Sequence, residues 1–175
     1  MIALQDNSPA VVVPGIYPML YAFFDDRGVL RQDPFRRQVD AALGTQAAGV
    51  AILGLGTEVS KLTFDERVEV LEVVAKRIDG CKPLLVTVYG DTITEQIEFS
   101  KRAIQSGASA LIIQPPSQKM DDAKLAGFFS EIISAVDCPV GIQNAPEFLG
   151  FGLSNQSLIA LANDHENFTI AKLEC

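Results

Sequence analysis

Lys172 is the residue of this chain placed best to do chemistry. It lies in Phe-Thr-Ile-Ala-Lys-Leu-Glu-Cys, residues 168–175, where one lysine interrupts an apolar, strand-like run. Period-two alternation puts Phe168, Ile170 and Lys172 on one face of that strand and Thr169, Ala171 and Leu173 on the other. A cation therefore shares the hydrophobic face. Desolvation disfavours the ammonium form and lowers the pKa, and a neutral amine can add to a carbonyl to form a Schiff base. The same placement also suits a lysine that snorkels to water or guards a sheet edge, so the segment alone leaves both readings open.

The elements that must position Lys172 repeat along the chain. Residues 1–14 read as an N-terminal arm, and residues 15–175 as one domain. Residues 15–24 predict a first strand, followed by turn chemistry in Asp25-Asp26-Arg27-Gly28. Asp33 is the expected cap of the first helix, with Pro34 in its first turn and Phe35, Val39, Ala42 and Leu43 as its apolar stripe. Further strands are expected at residues 49–53, 83–88, 110–114, 139–143 and 168–172. Helices fall between them at about 63–77, 92–106, 121–136 and 154–163, the first opened by a Thr63/Glu66 capping box.

Short apolar strands recurring roughly every thirty residues, each followed by an amphipathic helix, are the pattern of parallel βαβ units. Two architectures share it, the (β/α)8 barrel and the open doubly wound sheet. A Rossmann-type sheet should carry Gly-x-Gly-x-x-Gly after its first strand, and here only Gly54 and Gly56 follow the second. The expected fold class is therefore α/β, a (β/α)8 TIM barrel of which about the first six of eight strands are present. On that reading about two strand–helix units and a final helix are missing after Cys175. The first and sixth strands are then edges, unless partner chains cover them or the chain belongs to a longer protein.

Composition narrows the function classes. The chain has 175 residues, 48% hydrophobic and 21% charged, which fits a soluble globular domain. A net charge of -8 argues against nucleic acid or an anionic membrane as partner. Cys81, Cys138 and Cys175 are odd in number and outside metal-ligand spacing, so they read as thiols in a reducing compartment, the cytoplasm. No stretch has the length of a membrane span, and the first residues lack the basic start of a secretory signal. With His165 the only histidine, a His-based metal site is not expected.

At this point the residues resemble the dihydrodipicolinate synthase and N-acetylneuraminate lyase family of Schiff-base (β/α)8 enzymes. Gly15, Ile16 and Phe24 match the opening of the family's first strand. Gly54-Leu55-Gly56-Thr57-Glu58, then Leu62, Glu66 and Arg67, match its Gly-Thr-Thr-Gly-Glu loop and the Leu-x-x-x-Glu-Arg/His that follows. Gln143-Asn144-Ala145-Pro146 stands where the family has Tyr-Asn-x-Pro, and its Schiff-base lysine falls on Lys172. The resemblance implies a cofactor-free lyase without a metal, acting on a small-molecule 2-keto acid such as pyruvate and assembling as a homo-oligomer. It makes Lys172 and Gln143 the catalytic candidates, and Gly56, Thr57, Glu58 and Asn144 the substrate-binding ones.

Departures from the family pattern refine this. Gly56 replaces the second loop threonine, whose hydroxyl helps hold the keto-acid carboxylate, and Thr57 stands one place along. Gln143 replaces the proton-shuttling tyrosine, and glutamine cannot titrate. Gln114-Pro115-Pro116-Ser117 stands where dihydrodipicolinate synthases carry a tyrosine pair. The 2-keto-3-deoxy-pentonate (L-arabonate) dehydratase branch is similar in having Gln-Asp-Ala-Pro, Lys-Ile-Glu and Pro-Pro at the matching places. A dehydratase or aldolase of a 2-keto-3-deoxy sugar acid is thereby favoured over 4-hydroxy-tetrahydrodipicolinate synthase-type condensation. The alternative of a different class is a non-catalytic relative acting as an assembly or binding module. Glu174 reads as a solvated strand-end charge in preference to a proton carrier or ion-pair partner, Tyr89 is the tyrosine nearest the catalytic rim, and His165 belongs to the opposite rim.

Overall fold

A computed structural model describes residues 12–173. Of the predicted arm only its last residues fall inside that range, and Glu174 and Cys175 lie outside the described residues. Five strands, β1 (Val50–Ile52), β2 (Leu84–Val88), β3 (Ala110–Ile113), β4 (Val140–Asn144) and β5 (Phe168–Leu173), form one parallel sheet in chain order. The helices are α1 (Gln32–Leu43), α2 (Phe64–Ile78), α3 (Ile93–Gln105), α4 (Asp122–Ser134), the single turn α5 (Pro146–Leu149) and α6 (Asn155–Asp164). A doubly wound sheet reverses its strand order at a switch point, whereas a barrel wall adds each strand beside the one before it. The order β1-β2-β3-β4-β5 is that of a barrel wall. The helices follow the same sequence, α1 against α2, α2 against α3, α3 against α4, and α4 against α6.

Alternation divides each strand between two environments. Val50, Ile52, Val86, Val88, Leu111, Ile113, Val140 and Ile142 point to the helices and join one continuous core with Val74, Phe99, Phe129 and Ile132. The other face forms cross-strand rows. Thr87, Ile112, Gly141 and Ile170 share one level, and Gln143 pairs with Lys172 one step nearer the carboxyl edge. Gly141 is required in its row, because a Cβ there would stand 2.7 Å from Ile112 Cδ1 and 2.9 Å from Ile170 Cβ.

The predicted first strand, residues 15–24, is not formed as a strand. It meets β1 through a single parallel bridge, Met19 with Ala51, supported by Leu20 N–H to Ala51 O and Ala51 N–H to Pro18 O at 2.9 and 3.0 Å. Two features stop the ladder from extending. Pro18 has no N–H to donate on one side. On the other, the carbonyl of Leu20 accepts the Thr57 hydroxyl at 2.6 Å, while Leu53 leaves the strand at φ 61°. The Asp25–Gly28 turn is present, with Asp25 Oδ1 accepting from the backbone N–H of Arg27 and Val29, both at 2.9 Å.

Helix starts match the sequence closely in α2, α3, α4 and α6. Thr63 and Glu66 form the reciprocal capping box, and Thr92, Asp121 and Ser154 cap the other three. Each such cap is worth about 1 kcal/mol. The expected cap at Asp33 is not made. Helix α1 begins two residues earlier than such a cap implies, at Gln32 after Arg31, and Asp33 in its first turn pairs instead with Arg36 at 2.8 Å. Among the described residues no helix is long and apolar enough to cross a membrane.

Candidate active site

Strand β5 sets the orientation of Lys172. Its residues alternate half-buried and exposed from Phe168 to Leu173, with Phe168, Ile170 and Lys172 on the half-buried face as alternation requires. Removal from water on that face lowers the Lys172 pKa below its ordinary 10.5. The register places Gln143 of β4 directly beside it. Neighbouring strands are about 4.8 Å apart, so both side chains rise from the same level of the sheet.

Gln143 is almost wholly enclosed, at 1% exposure. Its Oε1 accepts a hydrogen bond from Gln114 Nε2 at 2.8 Å. Gln114, at the end of β3, is held in turn. Its backbone N–H donates to Val88 O at 2.9 Å, and its carbonyl accepts from Gln96 Nε2 at 3.0 Å. Gln96 on α3 also donates to Gly90 O at 2.7 Å. Three buried amides thus run from α3 to the strand beside the lysine. Asn144 closes the loop after β4 instead of facing that network, giving Nδ2 to Leu153 O at 3.0 Å and accepting Leu153 N–H at 2.8 Å.

The loop after β1 is two successive 3-10 turns, Leu55–Thr57 and Val59–Lys61, which periodicity did not foresee. Leu53 and Glu58 both adopt positive φ, 61° and 58°, a conformation costly for residues with a side chain. Gly54 between them lets Met19 approach, because a Cβ there would collide with Met19 Cε. Thr57 is buried and its hydroxyl is spent on Leu20 O. Gly56 is exposed, and Glu58 turns outward to pair with Lys61 at 2.7 Å. The binding candidates of this loop are thus gathered at the carboxyl end of β1. Of the six candidates, the register brings Gln143 and Lys172 side by side; Asn144 and Thr57 serve loop structure.

A cavity of about 380 Å³ opens between the loops that follow β1 to β4, lined by Leu55, Glu58, Tyr89, Gln114, Ser117 and Phe148 among others. Gln114 is on its wall, and Lys172 is not among its described lining. Burial, and then the charge of Asp91, push the Tyr89 hydroxyl above its usual pKa. The Ser117 hydroxyl and backbone N–H hold Asp91 below the usual carboxylate range. Arg67 crosses beneath. Its buried guanidinium donates to Tyr89 O, to Glu95 Oε1 at 2.7 Å and to Thr63 O at 3.3 Å, and lies over the rings of Phe64, Tyr89 and Phe99. The motif residues Leu62, Glu66 and Arg67 are therefore core, helix cap and clamp.

Sequence reading missed the roles of Gln114 and Gln96. The signal was present: Gln114 is two residues beyond Ile112 on the inner face, and Gln96 sits on the buried stripe of α3 with Phe99 and Ala103. His165 is half-buried on the opposite rim, its Nε2 2.8 Å from Ser130 Oγ. Cys81 is exposed, and burial pushes the half-buried Cys138 thiol up to about 11.

A parallel wall of strands in chain order, helices along its outside and a desolvated lysine at a carboxyl strand end define an α/β barrel-type chain of the lysine-bearing class. The chain belongs to the dihydrodipicolinate synthetase family, whose model matches residues 13–172. It is 30% identical over 146 residues to the 4-hydroxy-tetrahydrodipicolinate synthase of Pelobacter propionicus, covering 83% of this chain and 50% of that protein. It is 29% identical over 154 residues to Escherichia coli YagE, which carries the provisional name 2-dehydro-3-deoxy-D-gluconate aldolase, covering 87% and 51%. The crystal structure of YagE in complex with pyruvate superposes with a TM-score of 0.85 at 27% identity, covering 91% of this chain and 54% of that one. The chain spans about half the length of the relatives it matches.

Proposed function

We propose that this chain carries the amine of a Schiff-base lyase that acts on a 2-keto acid. The observation that carries the reading is Lys172 on the half-buried face of β5, its pKa lowered by desolvation, in register with an enclosed polar side chain. In the reaction the neutral amine adds to the 2-keto carbon, the keto oxygen leaves as water, and a C=N bond replaces C=O. The protonated imine is an electron sink. It can take the electron pair from a C3–H bond, so that a hydroxyl at the next carbon leaves as water, or from a C3–C4 bond, so that an aldehyde leaves. Hydrolysis returns the lysine.

Gln143 and Ser117 stand where a tyrosine relay would be needed for condensation, and neither titrates in the working range. The reading therefore favours a dehydratase or aldolase of a 2-keto-3-deoxy sugar acid, and likeness to YagE, with its aldolase name and its pyruvate complex, supports it. In this reading the loop at residues 54–58 takes the carboxylate through the N–H groups of Leu55 and Gly56, which head a 3-10 turn and have no acceptor within it. Thr57 holds that loop to Leu20. The test is product analysis with 2-keto-3-deoxy sugar acids. Aldol cleavage releases pyruvate and an aldehyde in equal amounts, dehydration keeps the carbon chain whole and releases no pyruvate, and both should vanish in Lys172→Arg. Turnover that survives Lys172→Arg would overturn the reading.

A further inference from the structure

We propose that Gln114 is a positioning residue that sets the hydrogen-bond polarity of Gln143, so that Gln143 offers amide N–H, and not its oxygen, to an oxygen of the keto acid beside Lys172. The inference rests on the Schiff-base reading of Lys172. Its basis is the chain of buried amides. A primary amide has a donor end and an acceptor end, and exchanging them reverses what a neighbouring ligand meets. At 1% exposure Gln143 cannot leave its oxygen without a donor at small cost. Gln114 Nε2, 2.8 Å away, supplies that donor and occupies the acceptor end.

Gln114 is a fixed support and not a passing contact. It is 3% exposed, and its main chain is held by Val88 O on one side and Gln96 Nε2 on the other. Gln96 is itself anchored on Gly90 O. The polarity of Gln143 is thus set from β2, β3 and α3 together. Register directs the Gln143 side chain to the face that carries Lys172. A keto acid presents acceptors there, the keto oxygen that must leave as water and the carboxylate. A donor at Gln143 holds such an oxygen, whereas an amide oxygen would repel it.

The test replaces the donor by an acceptor. Wild type, Gln114→Glu and Gln114→Met are incubated with pyruvate and borohydride across a pH series, and the rate of adduct formation is read by intact mass. The ionised carboxylate that Gln114→Glu introduces can only accept, so Gln143 must turn its N–H toward it. The Gln114→Glu rate should fall about tenfold below wild type at neutral pH. As pH falls and the buried carboxyl protonates, its O–H donates again and the ratio to wild type should recover. Gln114→Met should be slowed with a ratio that does not change with pH. A Gln114→Glu ratio that is flat with pH, or trapping by Gln114→Met as fast as wild type, overturns the proposal and leaves the Schiff-base reading standing. Wild type that forms no adduct removes both. Amide correlation spectra establish that each variant is folded, and if Gln114→Glu is not, Gln114→Met decides.

Discussion

Half-burial on the inner face of β5 gives Lys172 a pKa below the ordinary lysine value. Folding holds a partly desolvated ammonium at lower pH and a neutral amine at higher pH. The Lys172 contribution to stability therefore improves as pH rises through its folded pKa toward 10.5. Amine acylation, followed by peptide mass mapping over a pH series, should show Lys172 reacting with a midpoint below the ordinary lysine value of 10.5. A midpoint at or above 10.5 would contradict the desolvated placement. Thr57 makes a different residue-scale prediction. Thr57→Val leaves the Leu20 carbonyl without its donor and should lower stability by about 1–3 kcal/mol in urea, while Thr57→Ser keeps most of it. The facing of Lys172 was legible because alternation is local. The partners of Gln143 and Thr57 were not, since Gln114 and Leu20 lie 29 and 37 positions away in the chain.

Elements were legible where a short-range rule decides them. The Thr63/Glu66 box and the Thr92, Asp121 and Ser154 caps each need only three residues of context. Residues 15–24 failed as a strand because their pairing depends on Pro18, on Leu53 at positive φ and on a side chain from the next loop. Asp33 failed as a cap because Arg36 in the same turn draws its carboxylate. Strand β4 shows the value of a residue whose importance is an absence. Gly141→Val would drive methyl groups into Ile112 and Ile170 and should destabilise by about 1–3 kcal/mol, read as a lower urea midpoint with an unchanged slope. An unchanged midpoint would show that the inner row is looser than the packing here.

Across the molecule, burial is graded. Strand β3 is buried at every position, whereas β5 is buried at none and α6 contributes only Leu161 to the core. Local opening free energies follow such gradients. Hydrogen exchange should therefore find the slowest amides in β2 and β3 and the fastest, among the paired strands, in β5. Uniform protection across the sheet would contradict this. The repeat of strand and helix made the barrel-wall order readable from the chain, because each unit is a local βαβ crossover. The count was not: among the described residues, five strands and the Met19 bridge to β1 stand where six strands were expected.

All three scales meet in Lys172, whose reactivity depends on its own desolvation, on β5 beside β4, and on a wall that holds both. Borohydride trapping with pyruvate, with the adduct located by peptide mapping, measures this most directly. A single reduced adduct of about 72 Da on the folded chain, located at Lys172 and absent from Lys172→Arg, is the expected result. An adduct on another lysine, or none on a chain shown to be folded, would contradict it.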